Sequence, residues 1–207
     1  MLAACLVPGS GAWADDAGTR PETIVLGGLL TDHNPFRPGA RRDGYRVTVF
    51  LEQARLRVDF AGPSGERGLL LHDLSTGTGW LADLGSRRAI PVDASAVRSF
   101  SGLVVDPADP CADLSVHCAP APPRHIAGSS RRGYRFRDAA GRGPGGLSDG
   151  EFWVDASLGV VLAYRATGTR ARQAPALQAE FALLDALPAS YFELPDVDIP
   201  DGARRRD

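Results

Sequence analysis

The stretch YRVTVFLEQARLRVDF, residues 45–60, decides the fold class. Apolar side chains alternate with polar ones along both of its halves, which is the period of a strand with one buried face. Folding it at Glu52-Gln53 predicts an antiparallel hairpin; Glu-Gln is a poor two-residue turn, and a longer loop would keep the same register. The predicted pairs are Val49 with Leu56, Val47 with Val58 and Tyr45 with Phe60, and on the opposite face Arg46 with Asp59 and Thr48 with Arg57.

Further apolar segments of strand length follow along the chain. They occupy residues 69–71, 80–84, 87–92, 134–137, 152–155 and 160–164. Residues 177–184 fit a strand or a helical turn, and residues 94–99 fit a short helix capped by Asp93. Residues 107–128 and 138–149 are predicted as loops. We therefore predict a mainly β, antiparallel domain with one or more short helices.

Charge and composition exclude several classes of protein. Among 207 residues, 23 are basic, all of them arginine, and 25 are acidic, which gives a formal net charge of -2. Nucleic-acid binders usually carry a basic excess, so no nucleic-acid partner is predicted. With 43% hydrophobic residues the composition is that of a globular protein. No apolar run approaches the ~20 residues that a membrane-spanning helix needs.

The first 14 residues carry no charge and predict an export segment. Ala12-Trp13-Ala14 has the small-x-small pattern that signal peptidase cleaves, which predicts a mature domain over residues 15–195. Leu2-Ala3-Ala4-Cys5 instead matches a lipobox, in which Cys5 is lipidated. Because the apolar stretch is short and no base precedes it, a start upstream of Met1 and a merely flexible apolar terminus stay open. Residues 196–207 are predicted to be a flexible tail.

Cys111 and Cys118 lie close together in a segment rich in Pro and Ala. We predict a disulfide between them, which requires an oxidising compartment and stabilises a short loop by ~2–3 kcal/mol. Two free thiols are the first alternative, and a metal site with His117 and His125 is the second. Adjacent His117 and Cys118 would have difficulty ligating one ion, and no Cys-x-x-Cys is present. No metal and no cofactor are predicted.

Two strings match catalytic or nucleotide-binding motifs but lack the required context. Residues 146–150 read Gly-Leu-Ser-Asp-Gly, yet a nucleophile elbow needs a strand before its serine and a helix after it. Residues 141–146 match G-x-G-x-x-G, yet no predicted helix follows to bind phosphate. The four histidines lack metal-ligand spacing, and His72 is expected at a solvated hairpin edge. We predict a binding protein and not an enzyme, although a triad from distant parts of the sequence stays open.

The order of these segments resembles the periplasmic lipoprotein-carrier (LolA/LolB-like) superfamily. The segments that carry the resemblance are Tyr-Arg-x-x-Val at 45–49, Arg-Leu-Arg-Val at 55–58, Gly-Trp-Leu-x-Asp at 79–83, Trp-Val-Asp-x-x-x-Gly-Val-Val-Leu at 153–162 and the ending at 187–195. Over residues 22–195 it implies an unclosed antiparallel barrel, a LolA-like half-barrel. In that family the apolar concave face, covered by helices, holds acyl chains or a lipid-modified partner. This chain departs from it in having few predicted helices and an additional loop at Cys111 and Cys118.

Apolar strand residues form the candidate ligand-binding set, with core packing as the alternative for each. The set is Val47, Val49, Leu56, Val58, Leu71, Trp80, Trp153, Leu162 and Tyr164. Two functions are considered. The first is a periplasmic or envelope protein, soluble or anchored through Cys5, that accommodates an acyl chain, a lipid or a lipidated partner on its concave sheet. The second is an envelope sensor or interaction domain with a membrane-associated partner protein. The oligomeric state stays open.

Overall fold

A computed structural model describes residues 23–31, 44–112, 114, 117–168 and 174–200. Eleven strands form one antiparallel sheet in the order β6-β5-β4-β3-β2-β1-β11-β10-β9-β8-β7. They are β1 (Thr23–Thr31), β2 (Tyr45–Glu52), β3 (Arg55–Ala61), β4 (Arg67–Asp73), β5 (Thr78–Asp83), β6 (Arg88–Asp93), β7 (His117–Ile126), β8 (Ser129–Arg137), β9 (Gly150–Val154), β10 (Val161–Ala166) and β11 (Ala176–Leu184). The predicted fold class, an unclosed antiparallel sheet, is confirmed.

The first described strand, β1, lies in the middle of this sheet. Strand β1 pairs with β2 on one side and with β11 on the other, so two meanders run outward from it. Because β6 and β7 lie at opposite edges, the chain between them must cross one face of the sheet. No helix among the described residues is long and apolar enough to span a membrane.

The β2–β3 hairpin keeps the predicted faces but not the predicted register. Val49 pairs with Val58 and Leu51 pairs with Leu56, so each pairing is shifted by two residues from the expected one. The loop is Gln53-Ala54, and Gln53 adopts a positive φ of 51°. A two-residue shift preserves the period of the pleat, which explains why both faces stay as predicted while the pairs change.

The inner face, defined as the face that carries Val49 and Val58, is covered by the crossover (residues 94–112 and 114). Val97, Phe100 and Leu103 of the crossover are buried in the same apolar cluster as that face. The backbone N–H of Val161 donates to the carbonyl of Leu103 at 2.9 Å. The inner face is therefore filled by the chain's own connection between the two meanders.

Two sequence predictions for this region are wrong. The short helix expected over residues 94–99 is a turn followed by a 3-10 helix at Arg98–Phe100, and the Asp93 carboxylate instead accepts from Ser95 N–H at 2.9 Å. The predicted loop over 107–128 contains strand β7. A strand with three prolines is tolerated because β7 is an edge strand, where a missing N–H breaks no ladder on the open side.

The predicted disulfide between Cys111 and Cys118 is confirmed, with a Cα–Cα distance of 5.7 Å. It joins the end of the crossover to the start of β7 and so fixes the point where the chain enters the second edge. The predicted export segment, the Ala14 cleavage site and the Cys5 lipobox lie outside the described residues.

A C-terminal strap, residues 185–200, lies on the outer face, the face opposite Val49. Leu194, Val197 and Ile199 pack against an apolar cluster of that face, formed by Leu69, Leu71, Ala82 and Ala89. Residues 196–200, expected as part of a flexible tail, are docked here: the Asp198 N–H donates to Arg87 O at 2.7 Å, and Asp198 O accepts from Ala89 N–H at 3.0 Å. Residues 201–207 lie outside the described chain.

Candidate ligand groove beside Trp80

A groove of about 1010 Å³ lies where β3 begins, β4 ends, β5 begins and β6 ends, next to the strap. Because it lies at the ends of these strands, residues of both sheet faces line it. The lining is Arg55, Leu56, Leu71, His72, Asp73, Thr78, Gly79, Trp80, Ile90, Pro91, Val92, Asp93, Phe192, Glu193, Leu194 and Pro200. This volume reaches the upper end of the range typical of small-molecule sites, ~300–1,000 Å³.

The apolar part of the groove comes from paired strand residues and from the strap. Leu71 of β4 and Trp80 of β5 are direct cross-strand partners on the outer face. Phe192 and Leu194 of the strap also line the groove. Two sequence-distant pieces of apolar surface thus face one space, and an apolar chain placed there would lose contact with water on several sides.

The strap is held at its start by the buried carboxylate of Glu52. Its Oε2 accepts from the Thr23 hydroxyl at 2.7 Å and from the Leu187 N–H at 3.1 Å, and Arg55 forms an ion pair with Oε1. The Thr23 hydrogen bond, followed by those of Leu187 and Arg55, outweighs the effect of burial and lowers the pKa of Glu52. Glu52 therefore stays ionised and ties β1, β2 and the strap together.

Aromatic and cationic side chains hold the next part of the strap. The ring of Tyr191 lies 4.9 Å from that of Phe50, centroid to centroid, and the Arg57 guanidinium lies 4.0 Å above the Tyr191 ring. Arg57 also donates to the Tyr191 carbonyl at 2.6 Å. Arg55 lies 4.5 Å over the ring of Phe192, which lines the groove. The outward arginines of β3 thus act as clamps for the strap.

His72 is a buried polar residue of the groove whose ring nitrogens lack a hydrogen-bond partner among the described residues. Its side chain is buried, with the residue 4% exposed, and among the described residues neither ring nitrogen has a hydrogen-bond partner. It packs beside Gly79, where a Cβ would lie 2.9 Å from His72 Cδ2, so the ring needs a glycine there. Burial lowers the pKa of His72, against the opposing effect of the Gly77 and Asp93 carbonyls. The prediction that His72 lies at a solvated hairpin edge is wrong, because its imidazole is buried and neutral.

Carboxylates surround the groove's polar end. Asp73 accepts from the Ser75 hydroxyl at 2.5 Å and Asp93 accepts from the Ser95 hydroxyl at 2.5 Å. These hydrogen bonds lower the pKa of each aspartate, so both are ionised at neutral pH. Glu193 of the strap lines the same groove. The polar end is therefore negative, since Arg55 is already paired with Glu52.

The structure separates the predicted ligand-binding residues into three places. Leu56, Leu71 and Trp80 line the groove. Trp153 is 4% exposed and lies on the outer face of the other meander. The remaining five are 2% exposed or less, in the core: Val47, Val49, Val58, Leu162 and Tyr164. Burial raises the pKa of Tyr164, whose hydroxyl donates to the Ser99 carbonyl at 2.5 Å.

Trp153 is sealed by its neighbours. Its indole N–H donates to the Pro122 carbonyl at 3.1 Å, and the guanidinium carbons of Arg124 and Arg165 each lie 5.3 Å from its ring centroid. Beside it, the buried Glu151 bonds Arg135 at 2.5 Å and Arg165 at 2.7 Å. Burial raises the pKa of Glu151, but the two arginines outweigh it and the net shift is downward.

Neither motif string has catalytic context in the structure. Residues 146–150 run from a 3-10 helix, Pro144–Gly146, into strand β9, so no helix follows Ser148. Gly141, Gly145 and Gly146 have positive φ, and a Cβ at Gly145 would lie 2.2 Å from the Tyr164 ring. This loop packs against the inner face of the sheet. Among the described residues no group of three or more His, Cys, Asp or Glu could hold a metal ion.

Solved structures resemble this protein in fold. A conserved protein of Thermus thermophilus matches with a TM-score of 0.55 at 11% identity, covering 86% of this chain and 90% of that one. MucB matches with a TM-score of 0.49 at 12% identity, covering 84% of this chain and 58% of MucB. A LolA superfamily protein of Nitrosomonas europaea matches with a TM-score of 0.36 at 10% identity, covering 84% and 91%.

The likeness is one of fold. Structures from the lipoprotein-carrier superfamily are among the matches. No family model matches this sequence, and no curated protein matches it.

Sequence reasoning missed His72 and the strap. The strap lies more than a hundred residues from the strands it covers, and nothing local in Tyr191 or Phe192 indicates where they dock. His72 carried one usable signal. It ends a run of apolar residues in β4 and faces Gly79 across the ladder, the small residue that a buried ring requires.

Proposed function

We propose that this chain is a cell-envelope binding domain that accommodates an acyl chain, a lipid or a lipid-modified partner protein. The observation that carries the proposal is the groove beside Trp80. Its walls are apolar, and its polar residues lie together at one end. Sites of that form suit a ligand with an apolar body and a polar head. The disulfide supports export to the periplasm, because such bonds persist in oxidising compartments.

The inner face remains part of this proposal as a second location. Its residues Val47, Val49 and Val58 belong to the same buried apolar cluster as Phe100 and Leu103 of the crossover. An acyl chain could replace those crossover side chains at similar apolar area if the crossover moved. The groove needs no such movement, so we assign the first binding event to it.

Tryptophan quenching by bromine-terminated acyl ligands tests the proposal. All proteins carry Trp13→Phe, and two variants add Trp153→Phe or Trp80→Phe, which leaves Trp80 or Trp153 as the reporter. We use three ligands of one chain length: an ω-bromoalkanol, an ω-bromoalkylamine and an ω-bromo fatty acid. Bromine quenches at contact range, so saturable quenching of Trp80 by at least one ligand, with little quenching of Trp153, is expected.

Absence of saturable quenching of Trp80 by all three ligands would overturn the groove assignment. If lipid extraction of the native protein also released no lipid, the lipid-binding function as a whole would be lost. Lipid recovered without quenching of Trp80 would move the site to the inner face.

A protein-interaction domain is the second candidate function. Strand β6 is an edge of the described sheet; Asp198 of the strap bridges its start at Arg88, and beyond that bridge Ile90 is 51% exposed. An exposed strand edge can add a strand from a partner. A photo-crosslinking residue at position 90 should then give one discrete adduct in native envelopes, whereas the same residue at Leu183, exposed on a central strand, should give none. Equal labelling at both positions would remove this candidate.

A further inference from the structure

We propose that the groove selects amphiphiles whose head group donates a hydrogen bond and carries no negative charge, such as an alcohol, an amide or an amine, over those with a carboxylate or phosphate head. This inference rests on the proposed function, because it assigns a ligand class to the same groove. It draws on three observations: an unpartnered buried imidazole, a negative rim and a cation that is already neutralised.

The imidazole supplies the acceptor. A neutral imidazole has one N–H and one bare nitrogen, so it can donate once and accept once. The backbone carbonyls of Gly77 and Asp93 act on the ring as acceptors, which can serve only its N–H. Neither ring nitrogen meets a donor among the described residues, so the bare nitrogen is left unmatched. A buried acceptor without a donor is costly, and a ligand hydroxyl or amine that reaches it removes that cost.

The acidic residues at the polar end set the groove's preference for the charge of a ligand's head group. Asp73 and Asp93 are ionised and line the groove, as does Glu193. The nearest cation, Arg55, is paired with Glu52 and stacked on Phe192, so its charge is not free for a ligand. A carboxylate head would meet like charges, and a neutral or cationic head would not.

The apolar wall fixes which end of the ligand meets His72. Leu71 and Leu194 have no polar side-chain group, and Trp80 has only an indole N–H, which cannot accept a hydrogen bond from a donating head. The chain of an amphiphile therefore lies against these residues, and its head lies at the strand ends beside His72 and Asp73. Orientation and head selectivity follow from one arrangement.

The dissociation constants of the three bromine-terminated ligands test the inference, with Trp80 as the reporter. The alcohol and the amine should each bind at least tenfold more tightly than the carboxylate at neutral pH. In His72→Phe the alcohol should lose about tenfold, the scale of one buried hydrogen bond. His72→Asn, which keeps an acceptor, should lose less. The carboxylate should be unaffected by either change.

Charge variants test the second half of the inference. Asp73→Asn with Asp93→Asn keeps the turn-capping oxygens and removes two charges, and it should bring the carboxylate to within about threefold of the alcohol. Asp83→Asn is the matched control: Asp83 accepts from Gly85 N–H at 2.8 Å in the next turn and does not line the groove. It should leave all three affinities unchanged.

The outcomes separate this inference from the proposed function. Equal affinity of the three ligands, or tighter binding of the carboxylate, overturns the head-group selection while the groove stands as a lipid site. Loss of alcohol binding in His72→Asn as large as in His72→Phe, with unchanged melting temperatures, overturns the role of the acceptor. Absence of quenching by every ligand overturns the proposed function first.

Discussion

The two strand tryptophans of this sheet, Trp80 and Trp153, lie on the same outer face but are covered in opposite ways. Trp80 is half-buried between Leu71 and the strap, and it borders a groove. Trp153 is 4% exposed, and its cover consists of the side chains of Arg124 and Arg165 and the Pro122 carbonyl. One tryptophan lies beside free space, and the other has all of its space filled.

The residues packed over each tryptophan, and not the strand that carries it, decide which tryptophan is accessible to a ligand. Long arginine side chains lie along an aromatic surface and keep their charges in water, so they seal it without a cavity. A strap of backbone with large side chains touches the sheet at intervals and leaves a gap.

Truncating each tryptophan should separate the two regions most clearly. Trp153→Ala should lower the free energy of unfolding by about 3–5 kcal/mol, as expected for a sealed aromatic ring. Trp80→Ala should lower it by only about 1 kcal/mol, because part of its surface already faces the groove. Urea denaturation measures both. Similar losses for the two variants would contradict the distinction between a filled and an open region.

The ion pairs beside Trp153 should contribute to the seal. Glu151→Gln removes the charge that Arg135 and Arg165 share, and it should cost about 2 kcal/mol, less than a fully buried pair because both arginines are half-exposed. Glu180→Gln, at an exposed position of β11, should change stability by less than about 0.5 kcal/mol. Denaturant titration of the two variants gives the comparison directly, and equal effects would refute the role assigned to Glu151.

Loosening the strap should expose Trp80 and leave Trp153 unchanged. Tyr191→Ala removes the ring contact with Phe50 and the cation–π contact with Arg57, at a cost of about 1 kcal/mol. Acrylamide quenching of Trp80 should increase, measured in the background that lacks Trp13 and Trp153. An unchanged quenching constant would show that residues beyond Tyr191 hold the strap alone.

The pH dependence of stability should carry a small contribution from His72. Its pKa in the folded protein lies below the ordinary value of 6.5, so the unfolded chain takes up the proton first as pH falls. The free energy of unfolding should therefore decrease as pH falls below about 6.5, with no contribution above it. Asp73, Asp93, Arg55 and Glu193 are the charged groups around this site. The difference in unfolding free energy between wild type and His72→Phe should change with pH below about 6.5 and be constant above it; a difference that is constant over the whole range would contradict the burial of a neutral ring.

Several features of this molecule could be predicted from the sequence, and each had a local cause. The alternation in residues 45–60 fixed the faces of β2 and β3, and the spacing of Cys111 and Cys118 indicated their disulfide. The predicted register of the β2–β3 hairpin is wrong because Leu51 is also apolar, so a shift of two residues satisfies both faces equally well. The turn at Gln53, with its positive φ, has no sequence signal to correct that shift.

The candidate site was less predictable because it is made by non-local contacts. Leu71 and Trp80 were singled out as strand residues, but the strap that turns their neighbourhood into a groove comes from the far end of the chain. Strand β7 was missed since its prolines indicate a loop, and only its place at an edge makes them compatible with pairing. Position in the sheet is information that neither composition nor period contains.

The place of β1 in the middle of the sheet has a consequence for how the protein assembles. In the described sheet every other strand pair joins neighbours along the chain, so each can form early as a hairpin. The pairing of β1 with β11 places Thr31 beside Ala176 and closes the longest loop. Its loop-closure entropy is therefore the most unfavourable among these strand pairs. Of the described strands, β1 is synthesised first and β11 last, so one edge of β1 stays unpaired until β11 is available, and that edge is the surface most prone to wrong pairing.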